Sequence, residues 1–252
     1  MSNKLENTQQ PYNLKIILVE PNGPINVGSI ARLCSNFNVS ELRVVSPNCD
    51  IYGLDSKKMA MKGISYLDNC MVYESLTNAL FDCDLVLATY GRISLSKDEQ
   101  QTSLQEVSQW IKKFKNIKNV AIIFGREDRG LSNDELLLAQ KVFTIETSNN
   151  PSLNLSHAVS IVLYELCKEI NYKNTKYKKD INLASPIQIE HTFKDLDKLL
   201  LKIGYLLPHT SKSKINKFKK YILKAETSKL ELDTLRGIIH QMNWALKNNE
   251  EK

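Results

Sequence analysis

Asn119–Phe124 reads NVAIIF, five apolar residues in a row with no polar break. A strand carries such a run only where both of its faces are buried, as in the middle of a parallel sheet covered by helices on each side. Lys15–Glu20 (KIILVE), Leu42–Val45, Met71–Tyr73, Asp84–Thr89 (DLVLAT) and Val142–Ile145 have strand character too. Helical spacing covers Asn26–Phe37, Val107–Phe114, Leu131–Gln140 and the long apolar stretch Leu155–Ile170. Strand and helix alternate over this whole length. That predicts an α/β fold, a mostly parallel sheet flanked by helices.

The pattern then changes. Asn171–Asp180 (NYKNTKYKKD) is polar and predicts a linker. Beyond it only helical patterns remain, at Ile187–Leu207, Lys214–Glu226 and Lys229–Leu246. Leu196, Leu199, Leu200 and Ile203 recur at the three- and four-residue steps of an amphipathic helix. The expected organisation is therefore an α/β domain over residues 1–170, a linker over 171–180 and an all-helical extension over 181–252. Charge divides at nearly the same place. Residues 1–167 hold 16 Lys and Arg against 18 Asp and Glu, whereas residues 168–252 hold 18 against 10. All the excess of the +6 net charge thus sits in the last third, which suits an appendage that binds a polyanion.

Several classes drop out. No apolar run approaches the roughly 18–20 residues that span a bilayer, and Met1–Tyr12 lacks the apolar core of a secretory signal. A cytoplasmic protein with no membrane partner is expected. The five cysteines show no C-x-x-C spacing, so neither a disulfide framework nor a metal site is expected. Cys34, Cys83 and Cys167 lie in apolar stretches and read as packing residues.

Parallel sheets bind ligands beyond the carboxyl ends of their strands, so the loops there are the candidates. Pro21–Arg32 (PNGPINVGSIAR) follows the first strand. Asn26 could cap the next helix, and Arg32 would project from that helix either as a surface residue or toward a polyanion. Phe124–Glu135 (FGREDRGLSNDE) follows the central strand. It resembles a phosphate loop superficially, but Leu131 stands where that motif needs lysine, and no G-x-G-x-x-G is present. An NTPase or dehydrogenase is therefore disfavoured. Ser132 and Glu135 have capping-box spacing; Glu127, between Gly125 and Gly130, has no such local explanation. Glu146–Ser156 (ETSNNPSLNLS) is the third loop. Ser152, Asn154 and Ser156 could cap the apolar helix, and His157 just inside it reads as structural.

Together the motifs Asn26-x-Gly28-x-x-x-Arg32, Phe124-Gly125-x-Glu127-x-x-Gly130-Leu131 and Ser152-Leu153-Asn154-Leu155-Ser156 resemble those of the SpoU–TrmH family. These are RNA ribose 2′-O-methyltransferases of the SPOUT superfamily. In the tail, Pro208-His209, a lysine-rich helix (Lys214, Lys217, Lys219, Lys220, Lys224) and Leu235-Arg236-Gly237-Ile238 resemble the extension of TrmJ-type tRNA methyltransferases.

The resemblance implies a trefoil knot, an exception to the rule against threaded chains. It implies S-adenosylmethionine as cofactor, held by Thr89, Tyr90, Gly91, Gly125, Arg126, Glu127, Ile145, Leu153, Asn154 and Leu155, largely through backbone. It implies a homodimer with Arg32 facing the partner's cofactor, and tRNA as substrate, methylated on cytidine or uridine 32 of the anticodon loop. The catalytic set would be Arg32, Asn26, Glu127, Ser152 and Asn154, with no metal. Arginine is always protonated in proteins, so Arg32 is expected to hold a phosphate and stabilise oxyanion charge rather than act as base. Glu127 would orient Arg32 or polar groups of the nucleotide. Asn26, Ser152 and Asn154 would bond ribose, phosphate or loop backbone. Two alternatives stay open: an rRNA enzyme of the same family, and a non-catalytic RNA-binding relative.

Overall fold

The computed structural model describes residues 12–91, 102–114, 116–147, 152–171 and 182–250. The chain runs β1 (Asn13–Val19), α1 (Pro24–Asn36), β2 (Glu41–Val45), α2 (Leu54–Ala60), α3 (Ile64–Asp68), β3 (Met71–Tyr73), α4 (Leu76–Ala79), β4 (Leu85–Thr89) and β5 (Thr102–Ser103). It continues with α5 (Leu104–Ile111), β6 (Asn119–Phe124), α6 (Asn133–Leu136), β7 (Lys141–Thr144), α7 (Leu155–Asn171), α8 (Pro186–Lys202), α9 (Pro208–Lys224) and α10 (Lys229–Glu250).

The strands form one sheet in the order β3-β2-β1-β6-β4-β7-β5, and every pairing is parallel. All carboxyl ends therefore emerge at one edge. Along β1 the pleat alternates: Leu14, Ile16 and Leu18 join the core beneath α1, α5 and α7, while Ile17 and Val19 join the core beneath α4. This two-sided burial is why the strands read as continuous apolar runs. At the opposite edge Lys15 and Arg43, both buried, share the carboxylates of Glu41 and Asp82; Lys15 Nζ lies 2.5 Å from Asp82 Oδ2. The two cations hold the Asp82 carboxyl well below its ordinary range, overcoming the opposing effect of burial.

Several expected elements have different bounds. The expected helix Leu131–Gln140 is only the single turn α6. It stops because Gln140 is needed at the sheet: its Oε1 accepts from the Val86 N–H at 2.6 Å, and its own N–H bonds Val86 O. The helix expected from Val107 starts at Leu104, where Ser103 and Glu106 form a capping box. The helix expected from Lys214 starts at Pro208, whose fixed φ suits a first turn. The helix expected to reach Leu207 ends at Lys202, before Gly204 (φ +74°). Cys34 and Cys83 are buried, and Cys167 is half-buried. The expected linker over residues 171–180 lies outside the described residues from position 172 on.

α8, α9 and α10 have a small core of their own, built from Ile189, Phe193, Leu206, Ile215 and Leu232. They also join the sheet domain by polar contacts. Trp110 Nε1 donates to Glu226 Oε1 at 2.6 Å, Gln140 Nε2 donates to Ala184 O at 3.3 Å, and Lys212 lies 2.6 Å from Asp134. Among the described residues no helix is long and apolar enough to cross a membrane.

Candidate active site

The strand order reverses between β1 and β6: the chain leaves β1 toward β2, while β6 lies on the other side. A crevice opens at such a point beyond the strand ends. Glu127, three residues past β6, reaches across it. Its carboxylate accepts from the Asn22 N–H at 3.0 Å, the Gly23 N–H at 3.2 Å and Asn26 Nδ2 at 3.0 Å. The N-cap of α1 is Gly23, with no side chain to cap it. Glu127 therefore satisfies backbone donors at the start of α1 from another loop, and places negative charge at the positive end of the helix.

One expectation is corrected here: Asn26 lies inside the first turn of α1 and is not its N-cap. Among the described residues Glu127 bonds the α1 entry and Asn26, not Arg32 directly.

The Asn26 amide has a second bond. Its Oδ1 accepts from Asn154 Nδ2 at 3.0 Å. Asn154 in turn starts α7, its Oδ1 accepting from the Ser156 N–H at 2.9 Å and the Ser156 hydroxyl at 2.7 Å. One hydrogen-bonded chain, Glu127–Asn26–Asn154, thus joins the three loops that the sequence singled out. Gly28 has a packing role: a Cβ there would lie 2.2 Å from Ser56 O, so α1 and α2 touch backbone to backbone.

Beside this chain lies a cavity of about 690 Å³, walled by the ends of β4, β6 and β7 and the entry to α7. That size falls within the roughly 300–1,000 Å³ of small-molecule sites. Thr89, Tyr90, Gly91, Gly125, Arg126, Glu127, Ile145, Leu153 and Leu155 all line it, as does Ser152. Asn154, expected among them, is not in the walls; capping α7 and bonding Asn26 occupy its side chain. Asn26 and Arg32 are not in the walls either. Residues 148–151 of the third loop lie outside the described residues.

Two glycines shape the second loop. A Cβ on Gly125 would lie 2.3 Å from the Gly130 carbonyl carbon and 2.4 Å from Leu131 N, so the strand end and the returning loop need the bare backbone. Gly130 itself has φ +68°, which L residues avoid. The Arg126 guanidinium is held in an ion-pair network. It donates to Glu20 at 2.5 and 2.7 Å and to both Glu135 oxygens at 2.9 Å. Its hydrogen bonds hold the Glu20 carboxyl below the usual range; at Glu135 burial pushes up, but Arg126 outweighs it. Glu135 does two jobs, since it also completes the Ser132 capping box.

Arg32 stands apart. It is exposed on the outer side of α1 and has no hydrogen-bond or ion-pair partner among the described residues. No sequence signal marked Glu20 or Gln140, because their partners are distant in the chain. Among the described residues no group of three or more His, Cys, Asp or Glu could hold a metal ion.

The arrangement matches a known family. The model of the SpoU rRNA methylase family fits residues 13–164. The chain belongs to this family. The model of the carboxy-terminal domain of the tRNA methyltransferase TrmJ fits residues 187–251, the three helices of the extension. The SpoU-family chain is 30% identical over 243 residues to a tRNA (cytidine-2′-O-)-methyltransferase TrmJ of Sulfolobus acidocaldarius, covering 95% of this chain and 97% of that one. It is 28% identical to a tRNA (cytidine/uridine/adenosine-2′-O-)-methyltransferase TrmJ of Pseudomonas aeruginosa, covering 90% and 92%. Among solved structures it is similar to TrmJ from Z. mobilis, with a TM-score of 0.77 and 27% identity over 91% of this chain and 98% of that one. Family membership implies a methyl-donor cofactor, and the cavity fits one. It is large enough, its walls combine apolar side chains such as Leu155 with loop backbone, and at Gly91 a Cβ would meet nothing within 4 Å.

Proposed function

We propose that this chain methylates the ribose 2′-hydroxyl of a tRNA nucleotide, cytidine or uridine 32 of the anticodon loop, with S-adenosylmethionine as donor. The observation that carries the proposal is the Glu127–Asn26–Asn154 chain beside the cavity, which holds the three motif loops in register. A pure RNA-binding protein would need no such convergence of loops on a small-molecule cavity. The named TrmJ relatives, similar over nine-tenths of the chain or more, support the substrate class.

S-adenosylmethionine would supply an electrophilic methyl group on a sulfonium. The loops after β4, β6 and β7 would hold it, through backbone groups at Thr89–Gly91, Gly125–Glu127, Ile145, Leu153 and Leu155. A trefoil knot through these loops is part of the proposal. Arg32 would hold the phosphate next to the target ribose and stabilise charge developing on the 2′-oxygen. Glu127 and Asn26 would keep α1, and with it Arg32, at a fixed angle to the cavity. Ser152 would meet ribose or phosphate at the cavity mouth.

Arg32 does not line the cavity of its own chain, which supports a homodimer whose Arg32 serves the partner's cavity. α1 and α7 pack side by side, and their outer faces carry Ile25, Arg32, Ile161 and Tyr164, all exposed. A second copy is the proposed cover. The sheet domain, linker and basic extension are proposed as separate units, the extension binding tRNA and supporting the dimer; the proposed compartment is the cytoplasm. The test is incubation with labelled S-adenosylmethionine and total RNA, tRNA and rRNA together, followed by mapping of the label. Label at a ribose of the anticodon loop is expected; label confined to rRNA, or none at all, would refute the assignment.

A further inference from the structure

The extension has a concave site of its own. Between α8 and α10 lies a groove of about 670 Å³. Asp233, Arg236, His240, Trp244 and Lys247 succeed one another at steps of three or four residues, so they share one side of α10 and line this groove. Lys198 faces them from α8. At Gly237 a Cβ would meet nothing within 4 Å, which leaves the wall open. Trp244 is 56% exposed there. The other tryptophan, Trp110, is buried and hydrogen-bonded to Glu226.

The groove differs in chemistry from the neighbouring α9. Pro208–Lys224 has six lysines and no acid; Lys219 is buried against Glu190 and Lys212 pairs with Asp134, while Lys217 and Lys224 have no ion-pair partner among the described residues and suit contacts to phosphates. The groove mixes signs. Lys198 and Lys247 have no ion-pair partner among the described residues, and Asp233 sits 4.0 Å from Arg236 in a loose, half-exposed pair. A large ring, nearby cations and an acceptor carboxylate are what an unstacked base needs: a π-face to stack on, charge for its flanking phosphates, and partners for its edge.

We propose that the α8–α10 groove binds one unstacked nucleotide of a single-stranded loop in the RNA substrate. Trp244 stacks on the base, Arg236 and Lys247 meet the adjoining phosphates, and Asp233 accepts from the base edge. The proposal rests on the reading of the chain as a tRNA enzyme. It divides the extension into a phosphate-following helix, α9, and a base-binding groove.

The test measures tRNA binding by the full-length protein against salt, with Trp244→Ala, Trp244→Phe and the pair Lys217→Ala/Lys224→Ala. Trp244→Ala should weaken binding by roughly 5- to 150-fold at every salt concentration, the scale of one lost base–aromatic stack, with the salt slope unchanged. Trp244→Phe should retain most of the affinity. The lysine pair should flatten the slope instead. Tryptophan emission should be quenched by tRNA in the parent and not in Trp244→Phe, leaving Trp110 as a constant background. A Trp244→Ala variant that binds tRNA as tightly as the parent would overturn the groove. So would emission that tracks protein concentration without RNA, which would mark a second copy as occupant. If the intact protein binds no tRNA at all, the enzyme assignment falls with it; if tRNA binds but Trp244 is silent, only the groove falls.

Discussion

Glu127 and Asn26, 101 residues apart in the chain, meet at 3.0 Å where the sheet changes direction. The carboxylate that receives the Asn26 amide also receives two backbone N–H groups at the entry to α1. A single side chain thus sets where α1 begins and how it stands to the loop after β6.

Replacing Glu127 with Ala should loosen that entry. Three donors lose their acceptor, two of them on the backbone. The expected stability loss is about 1–2 kcal/mol, the scale of a lost helix cap. Urea unfolding should show it, and methyl transfer should fall more than the fold does. Glu127→Gln should recover part of the stability and little of the turnover. Equal turnover in Glu127→Ala and the parent would show that the angle of α1 is irrelevant to the reaction.

Arg32→Ala should leave stability and methyl-donor affinity unchanged, because Arg32 is exposed, unpaired among the described residues and outside the cavity. Turnover should drop by roughly 10²–10³-fold, the scale of one lost oxyanion donor. Arg32→Lys should recover only part, since lysine lacks the planar fork. If Arg32 were instead the base, activity of Arg32→Lys would rise with pH along the lysine titration. A pH–rate profile of that variant separates the two roles.

The Arg126 network should make the protein acid-sensitive in a defined window. Arg126 depresses the carboxyls of Glu20 and Glu135 below their ordinary value of 4.5. A group with a depressed folded-state value contributes stability that is complete above its unfolded value and lost as pH falls through the folded one. The thermal unfolding temperature should therefore fall as pH drops below 4.5. Arg126→Met should lower stability at neutral pH by less than the about 3–5 kcal/mol of a fully buried pair, because Glu20 stays 29% exposed. The gap between parent and variant should shrink on acidification. A gap that stays constant with pH would rule out these pairs as its cause.

Gly125→Ala should abolish methyl-donor binding. The new Cβ would lie 2.3 Å from the Gly130 backbone, so the loop that walls the cavity must move. Gly130→Ala meets open space and only backbone strain, a loss of about 1 kcal/mol. Calorimetric titration of S-adenosylmethionine should rank the two variants in that order.

Ile161→Asp should yield monomers in sedimentation across a dilution series, and those monomers should lack activity, if α7 meets a second copy through its exposed Ile161 and Tyr164. An active monomer would end the shared-site proposal.

The amino-acid sequence alone determined the central strand at Asn119–Phe124, because an unbroken apolar run reports burial on both faces, and that run is a property of the local residues. It determined the Ser132–Glu135 capping box, whose partners stand three residues apart. It also marked the three loops, since glycine and small polar residues beyond strand ends are a local signal. Only the tertiary structure decided what those loops do to one another. Glu127 became the acceptor for α1, and Asn26 a link to Asn154, because the sheet order sets β6 beside β1; nothing within a few residues of Glu127 encodes that neighbour. The same holds where Gln140 ends α6 early: helical propensity favoured continuation, but the Val86 N–H on the adjacent strand needed an acceptor, and an unpaired buried donor costs more than a shortened helix.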